Sequence, residues 1–175
     1  MDIFNSLSKN RNSYFLDYSF TNNLNIYMKT NTQVAEVLVS YSNNISSEQK
    51  ISNSADSYDI VMNLWNLNTI QIQEEVKVIL LNDALMVLGF YFLSKGGISS
   101  SIVDIRLVLS VALKAIATGI ILVHNHPTGN LKPSKADLDI TKKLKSACDV
   151  MGINLLDHLI ISKEDYFSFA DEGLL

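Results

Sequence analysis

The chain has 175 residues, 47% of them apolar and 18% charged, with a formal net charge of −4 at pH 7. This length and apolar content suit one domain with a sizeable core and a short extension, and they exclude a highly charged, disordered chain. The acidic balance, with a pI of about 5.3, gives no overall electrostatic footprint for nucleic-acid phosphates, which need Lys and Arg.

Residues 1–53 are rich in Asn and Ser. Short strands are expected at 14–20 and 24–28, while 32–41 mixes helix and strand signals. We read this part as an extension ahead of a regular domain over 54–175. Ser54 and Asp56 can cap a helix whose apolar residues Ile60, Val61, Leu64 and Trp65 recur at helical spacing. Residues 75–81 and 84–94 read as two strands, and the short Asn82-Asp83 link suggests an antiparallel hairpin. The longest apolar run, ALMVLGFYFL at 84–93, is too short to span a bilayer as a helix. Gly96-Gly97 breaks the chain. Residues 104–117 form an amphipathic helix with Ile105, Val108, Val111, Ala112, Ala115 and Ile116 on one side. The apolar run at 119–123 has the texture of a central strand, and it ends at His124-Asn125-His126-Pro127. A Gly/Asn/Pro loop follows, then a helix at 134–151 and a strand at 153–162. This alternation predicts an α/β sheet domain flanked by helices.

A cluster of lysines (Lys132, Lys135, Lys142, Lys143 and Lys145) is interleaved with Asp137 and Asp139, as on a solvated helix face. The single cysteine, Cys148, has no partner for a disulfide and sits in a helical apolar pattern, so it reads as a buried thiol in a reducing compartment. The N-terminus lacks a basic stretch followed by an apolar run, so no signal peptide is expected. A cytoplasmic location with no membrane span is the resulting expectation.

Two of the three histidines are His124 and His126, where a central strand runs out into a loop. Residues i and i+2 of an extended chain project to one face, so two imidazoles can meet one metal ion there. Asp137 falls in the first turn of the following helix and can swing back with an oxygen ligand. Two His and one carboxylate, with one position left for water, is the composition of a catalytic zinc site; closed structural sites favour four protein ligands. Taken alone, Ser134-x-x-Asp137 is also a helix-capping pattern, and a lone His at a strand end usually carries nothing.

The run HNHPTGNLKPSKAD, residues 124–137, resembles the JAMM signature, in which H-x-H is followed by seven residues and S-x-x-D. More narrowly it resembles the bacterial RadC family. Asp104-Ile105-Arg106, the LDHLII segment at 156–161 and the closing segment at 166–173 resemble further family features, so the likeness extends over about residues 54–175. It implies a JAB/MPN-like (cytidine-deaminase-like) mixed β-sheet flanked by helices, and a zinc-dependent hydrolase of peptide or isopeptide amide bonds. It also implies roles: His124, His126 and Asp137 as zinc ligands, Glu74 as general base, and Ser134 as hydrogen-bond donor to the oxyanion. Glu75 is the alternative base, because a one-residue shift in register reverses a side chain's face. His158 reads as a buried hydrogen-bonded histidine or as a contact to a ligand, rather than as a fourth ligand.

Departures are few: Thr128 stands where the family has Ser, and Val76 where an aromatic is usual. Longer members resemble helix-hairpin-helix proteins at the N-terminus, but residues 1–53 carry no such hairpin, which argues against direct nucleic-acid binding. Two other readings are a non-catalytic JAMM scaffold for protein partners and a DNA-repair accessory protein.

Overall fold

A computed structural model of the chain describes residues 40–42, 49–96 and 103–175, all within the unit Leu38–Leu175. The strands expected at 14–20 and 24–28 lie outside the described residues, as does most of 32–41.

Helix α1 spans Ser54–Leu64. Its N-cap is Asn53 rather than Ser54: the Asn53 carboxamide oxygen accepts the Asp56 N–H at 2.8 Å. Asp56 in turn accepts the Ser52 N–H at 2.8 Å, so two amides at the helix start are satisfied reciprocally. Just ahead of it, Ile51 is buried and donates its N–H to the Leu85 carbonyl at 3.0 Å.

Strands β1 (Glu75–Leu81) and β2 (Val87–Lys95) form the expected antiparallel hairpin. Its connection is longer than two residues. The Asn82 side chain accepts the N–H groups of Ala84 and Met86, both at 3.0 Å, and Leu85 adopts a left-handed φ of 61°. Asn82 thus closes a side-chain turn, with its own N–H bonded to the Met86 carbonyl at 3.1 Å, and β2 begins at Val87 instead of residue 84.

Helix α2 (Ile105–Lys114) is N-capped by Asp104. It ends earlier than the expected 117 because Ile116 turns left-handed, with φ 54°. That turn delivers Thr118, whose N–H bonds the Leu81 carbonyl at 2.9 Å. Strand β3 (Gly119–Asn125) follows, then α3 (Lys135–Val150), β4 (Asn154–Ile161) and β5 (Tyr166–Ser168). The short β5 was not legible as a strand from its sequence.

The sheet order is β2-β1-β3-β4-β5. β3 is central, antiparallel to β1 and parallel to β4, with α3 as the crossover that a parallel pair needs. Alternation sorts the side chains by face. Val76, Val78, Leu80, Ile120 and Leu122 pack with Val108 and Ala112 of α2 and Leu144 and Cys148 of α3. Ile79, Leu81, Ile121 and Val123 pack on the other face with Val61 of α1 and Trp65. Covered on both sides, β3 is buried along its whole length, which explains its unbroken apolar sequence. Among the described residues, no helix is long and apolar enough to cross a membrane.

Candidate metal centre

His124 belongs to the face of β3 that also carries Ile120 and Leu122, the face covered by α3. The ladder persists one step past the strand, since the His126 N–H bonds the Ile161 carbonyl at 3.0 Å. His126 therefore shares the face of His124. Across that face the capping box of α3 holds Asp137 in place: Ser134 donates its backbone N–H (2.7 Å) and its hydroxyl (2.6 Å) to Asp137 Oδ2, while the Asp137 N–H bonds Ser134 Oγ at 3.2 Å. The carboxylate that caps the helix is thus the same one that faces the two histidines. The cap occupies Oδ2, and Oδ1 lies 3.4 Å from His124 Nε2.

The three side chains converge. His124 Nε2 and His126 Nε2 are 3.0 Å apart, Asp137 Oδ2 is 3.7 Å from His126 Nε2, and the donor atoms of all three lie within 4.8 Å of one another. Donors held about 2.0–2.1 Å from a tetrahedral zinc ion are themselves roughly 3.3 Å apart, so this spacing suits such an ion. The donor chemistry fits as well. Two imidazole nitrogens and a carboxylate this close repel unless a cation, a proton or a metal ion, lies among them.

Electrostatics follow from burial and partners. Burial pushes the His124 pKa down to about 4, against the pull of Asp137. His126, half-buried, is moved upward, chiefly by the Asp137 carboxylate beside it. Burial would raise Asp137, but the neighbouring His126, the hydrogen bonds from Ser134 and the nearby His124 outweigh it and hold its carboxyl far below the usual range. His126 Nδ1 is 2.5 Å from the Asn130 carbonyl, which can only accept, so this nitrogen carries the proton. Gly129, with a left-handed φ of 75°, makes the turn that returns Asn130 to the imidazole.

Glu74 and Glu75 part company here. Glu75 lies on the opposite face of β1, with its carboxylate 3.2 Å from Lys77 Nζ and 3.3 Å from Lys95 Nζ. The Glu74 carbonyl accepts the Gly96 N–H at 2.8 Å, extending the β1–β2 ladder by one residue. Alternation then turns Glu74 to the His124 face, and its charge acts on His126.

Two participants were not singled out by sequence reasoning. Asn125 points away from the histidines. It accepts the Glu75 N–H at 2.7 Å and donates to the carbonyls of Ile70 (2.6 Å) and Gln73 (2.9 Å), tying the segment that bears Glu74 to β3. Thr141, one turn along α3 from Asp137, contacts His158. His158 itself is 2.8 Å from His124 Nδ1, so it is a buried, hydrogen-bonded histidine set against the candidate ligand His124.

The fold and this cluster define an α/β domain with a His–His–Asp group able to hold a metal ion. The sequence model of the RadC-like JAB domain matches residues 51–174, and the chain belongs to that family. A UPF0758 protein of Flavobacterium johnsoniae is 45% identical over 126 residues, covering 72% of this chain and 54% of that protein. One from Thermotoga maritima is 46% identical over 103 residues, covering 59% and 46%. One from Staphylococcus haemolyticus is 35% identical over 133 residues, covering 76% and 57%. The chain thus spans about half the length of these curated relatives.

Proposed function

We propose that this domain is a zinc-dependent hydrolase of the JAMM type that cleaves a peptide or isopeptide amide bond in a protein or peptide substrate. The observation that carries the reading is the convergence of His124 Nε2, His126 Nε2 and the Asp137 carboxylate at the exit of a central strand, with Glu74 on the same face. Bound there, zinc would lower the pKa of a water molecule toward about 7 and polarise the substrate carbonyl.

The chain's own residues supply the rest. Glu74 takes a proton from the attacking water, whose oxygen forms a bond to the carbonyl carbon. The C–N bond then breaks, and Glu74 returns the proton to the leaving amine. Ser134 lies beside the proposed ligands, but its hydroxyl proton is directed to Asp137 Oδ2. To stabilise a developing oxyanion it must rotate away from that bond while its backbone N–H keeps hold of Asp137.

The test is elemental analysis of the protein beside His126→Ala, followed by assays of wild type and Glu74→Gln on fluorogenic peptide and isopeptide-linked substrates. About one zinc per chain, lost in His126→Ala, is the expected result, with hydrolysis abolished but zinc retained in Glu74→Gln. Absence of zinc uptake by wild type from zinc-supplemented buffer would overturn the enzyme reading and favour a scaffold role for the domain.

A further inference from the structure

We infer that Thr141 and His158 act as a positioning pair that fixes His124 in the one tautomer able to ligate a metal, with Nδ1 protonated and Nε2 bare. The inference rests on the metal-site reading above, and it follows from counting protons along a buried chain of hydrogen bonds.

The count begins on α3. Thr141 Oγ1 lies 2.6 Å from the Asp137 carbonyl oxygen. Two oxygens at that separation need a proton between them, and only the hydroxyl has one. That proton is therefore spent. Thr141 Oγ1 also lies 2.6 Å from His158 Nδ1, so the proton of this second bond belongs to His158. His158 is wholly buried, among Phe169, His124 and Thr141, where a second ring proton would place a charge out of reach of water, and its single ring proton is the one on Nδ1. Its Nε2 must accept, and the donor across the 2.8 Å gap is His124 Nδ1. A neutral His124 then has nothing on Nε2, the atom that faces His126 and Asp137.

The arrangement differs from the usual ligand support, in which a carboxylate or backbone carbonyl accepts directly from the ligating histidine. Here the acceptor is a second imidazole, which could in principle adopt either tautomer. The helix backbone, acting through Thr141, selects between them. Stacking of His158 on Phe169, with ring centroids 4.5 Å apart and planes 20° apart, sets the ring plane. Asp137 and Thr141 are one turn apart on α3, so the element that presents the carboxylate ligand also sets the protonation pattern of the histidine ligand opposite it.

The experiment is long-range proton–nitrogen NMR on histidine-labelled, metal-free protein near neutral pH, paired with zinc affinities from chelator competition. Wild type should show His124 protonated at Nδ1 and bare at Nε2. Thr141→Val keeps the shape and removes the hydroxyl; it should mix or invert the tautomers of His158 and His124 and weaken zinc binding by about 10–100-fold. Thr141→Ser should restore both. A wild-type His124 protonated at Nε2 overturns the inference without any variant, so the test survives a Thr141→Val protein that does not fold. A Thr141→Val protein with the wild-type tautomer and affinity overturns it equally. Wild type that takes up no zinc defeats the metal reading instead, and the tautomer spectrum separates the two failures.

Discussion

The carboxamide of Asn125 accepts the backbone N–H of Glu75 at 2.7 Å, joining two residues that sit on neighbouring strands but 50 positions apart in sequence. Through its other contacts, to Ile70 and Gln73, Asn125 anchors the approach to β1, and with it the placement of Glu74. Asn125→Ala should leave one buried donor and two buried acceptors unmatched, each costing about 1–3 kcal/mol. Chemical denaturation should show this loss. Zinc content should persist, because His124 and His126 face the other way, while turnover should fall as Glu74 loses its fixed position. Retention of full stability would mean that water replaces the carboxamide at no cost.

Glu75 and Glu74 are separated by consequence as well as by face. Glu75→Ala leaves Lys77 buried against the Trp65 ring, with Nζ 3.5 Å from the ring centroid, and without its closest carboxylate. Removing one partner of a buried ion pair costs about 3–5 kcal/mol, so thermal unfolding should move down by many degrees with zinc stoichiometry unchanged. Glu74→Gln should reverse the pattern: ordinary stability, zinc retained, hydrolysis lost. If Glu75→Gln abolished turnover in a stable protein and Glu74→Gln did not, the base would be Glu75.

Ser134→Ala tests two roles at once. Loss of the cap hydroxyl should cost about 1 kcal/mol of stability. Loss of an oxyanion donor should lower kcat on the order of 100-fold with little change in zinc affinity. A variant slightly destabilised yet fully active would confine Ser134 to the helix cap.

The buried histidines set the acid response of the metal-free protein. Unfolded, His124 takes its proton near pH 6.5; folded, it does so near pH 4 because burial disfavours the charged ring. Between those values the unfolded chain holds more protons, so stability falls as pH drops through that window. His158 is shifted in the same direction, for the same first cause. His126 is shifted upward and so acts above pH 6.5, where its contribution is lost as pH rises. Unfolding free energies from denaturant titrations should therefore decline from pH 6.5 to pH 4, by an amount on the order of 3 kcal/mol for His124 alone. His124→Gln should flatten the slope; an unchanged slope would falsify this assignment.

Much of the site was legible because it is local. Periodicity places His124 and His126 on one side of a strand, and Ser134-x-x-Asp137 marks the first turn of the next helix. The apolar texture of 119–123 announces a strand covered on both faces. What stayed hidden is what distant segments decide. His158 lies 34 positions from His124, so their hydrogen bond needs the β3–β4 register, including its irregularity between Ile120 and Ile121. Thr141 reads as an ordinary helical residue until α3 is laid over the sheet. The Asn82 turn and the Asn53 cap were misplaced by one to three residues, because carboxamide side chains compete with the backbone for the same partners.

The central place of β3 also governs how the site comes into being. His124 is flanked by β1, where its partner Val76 precedes it by nearly fifty positions, and by β4, where its partner Ile160 follows it by about thirty-six. Closing both long loops is the slow, entropically costly part of assembling such a sheet. Until α3 has crossed over and β4 has docked, neither Asp137 nor the support of His124 is in position. A nascent or partly folded chain therefore offers a cation only scattered, weak ligands, and the metal uptake proposed above would have to wait until folding is finished.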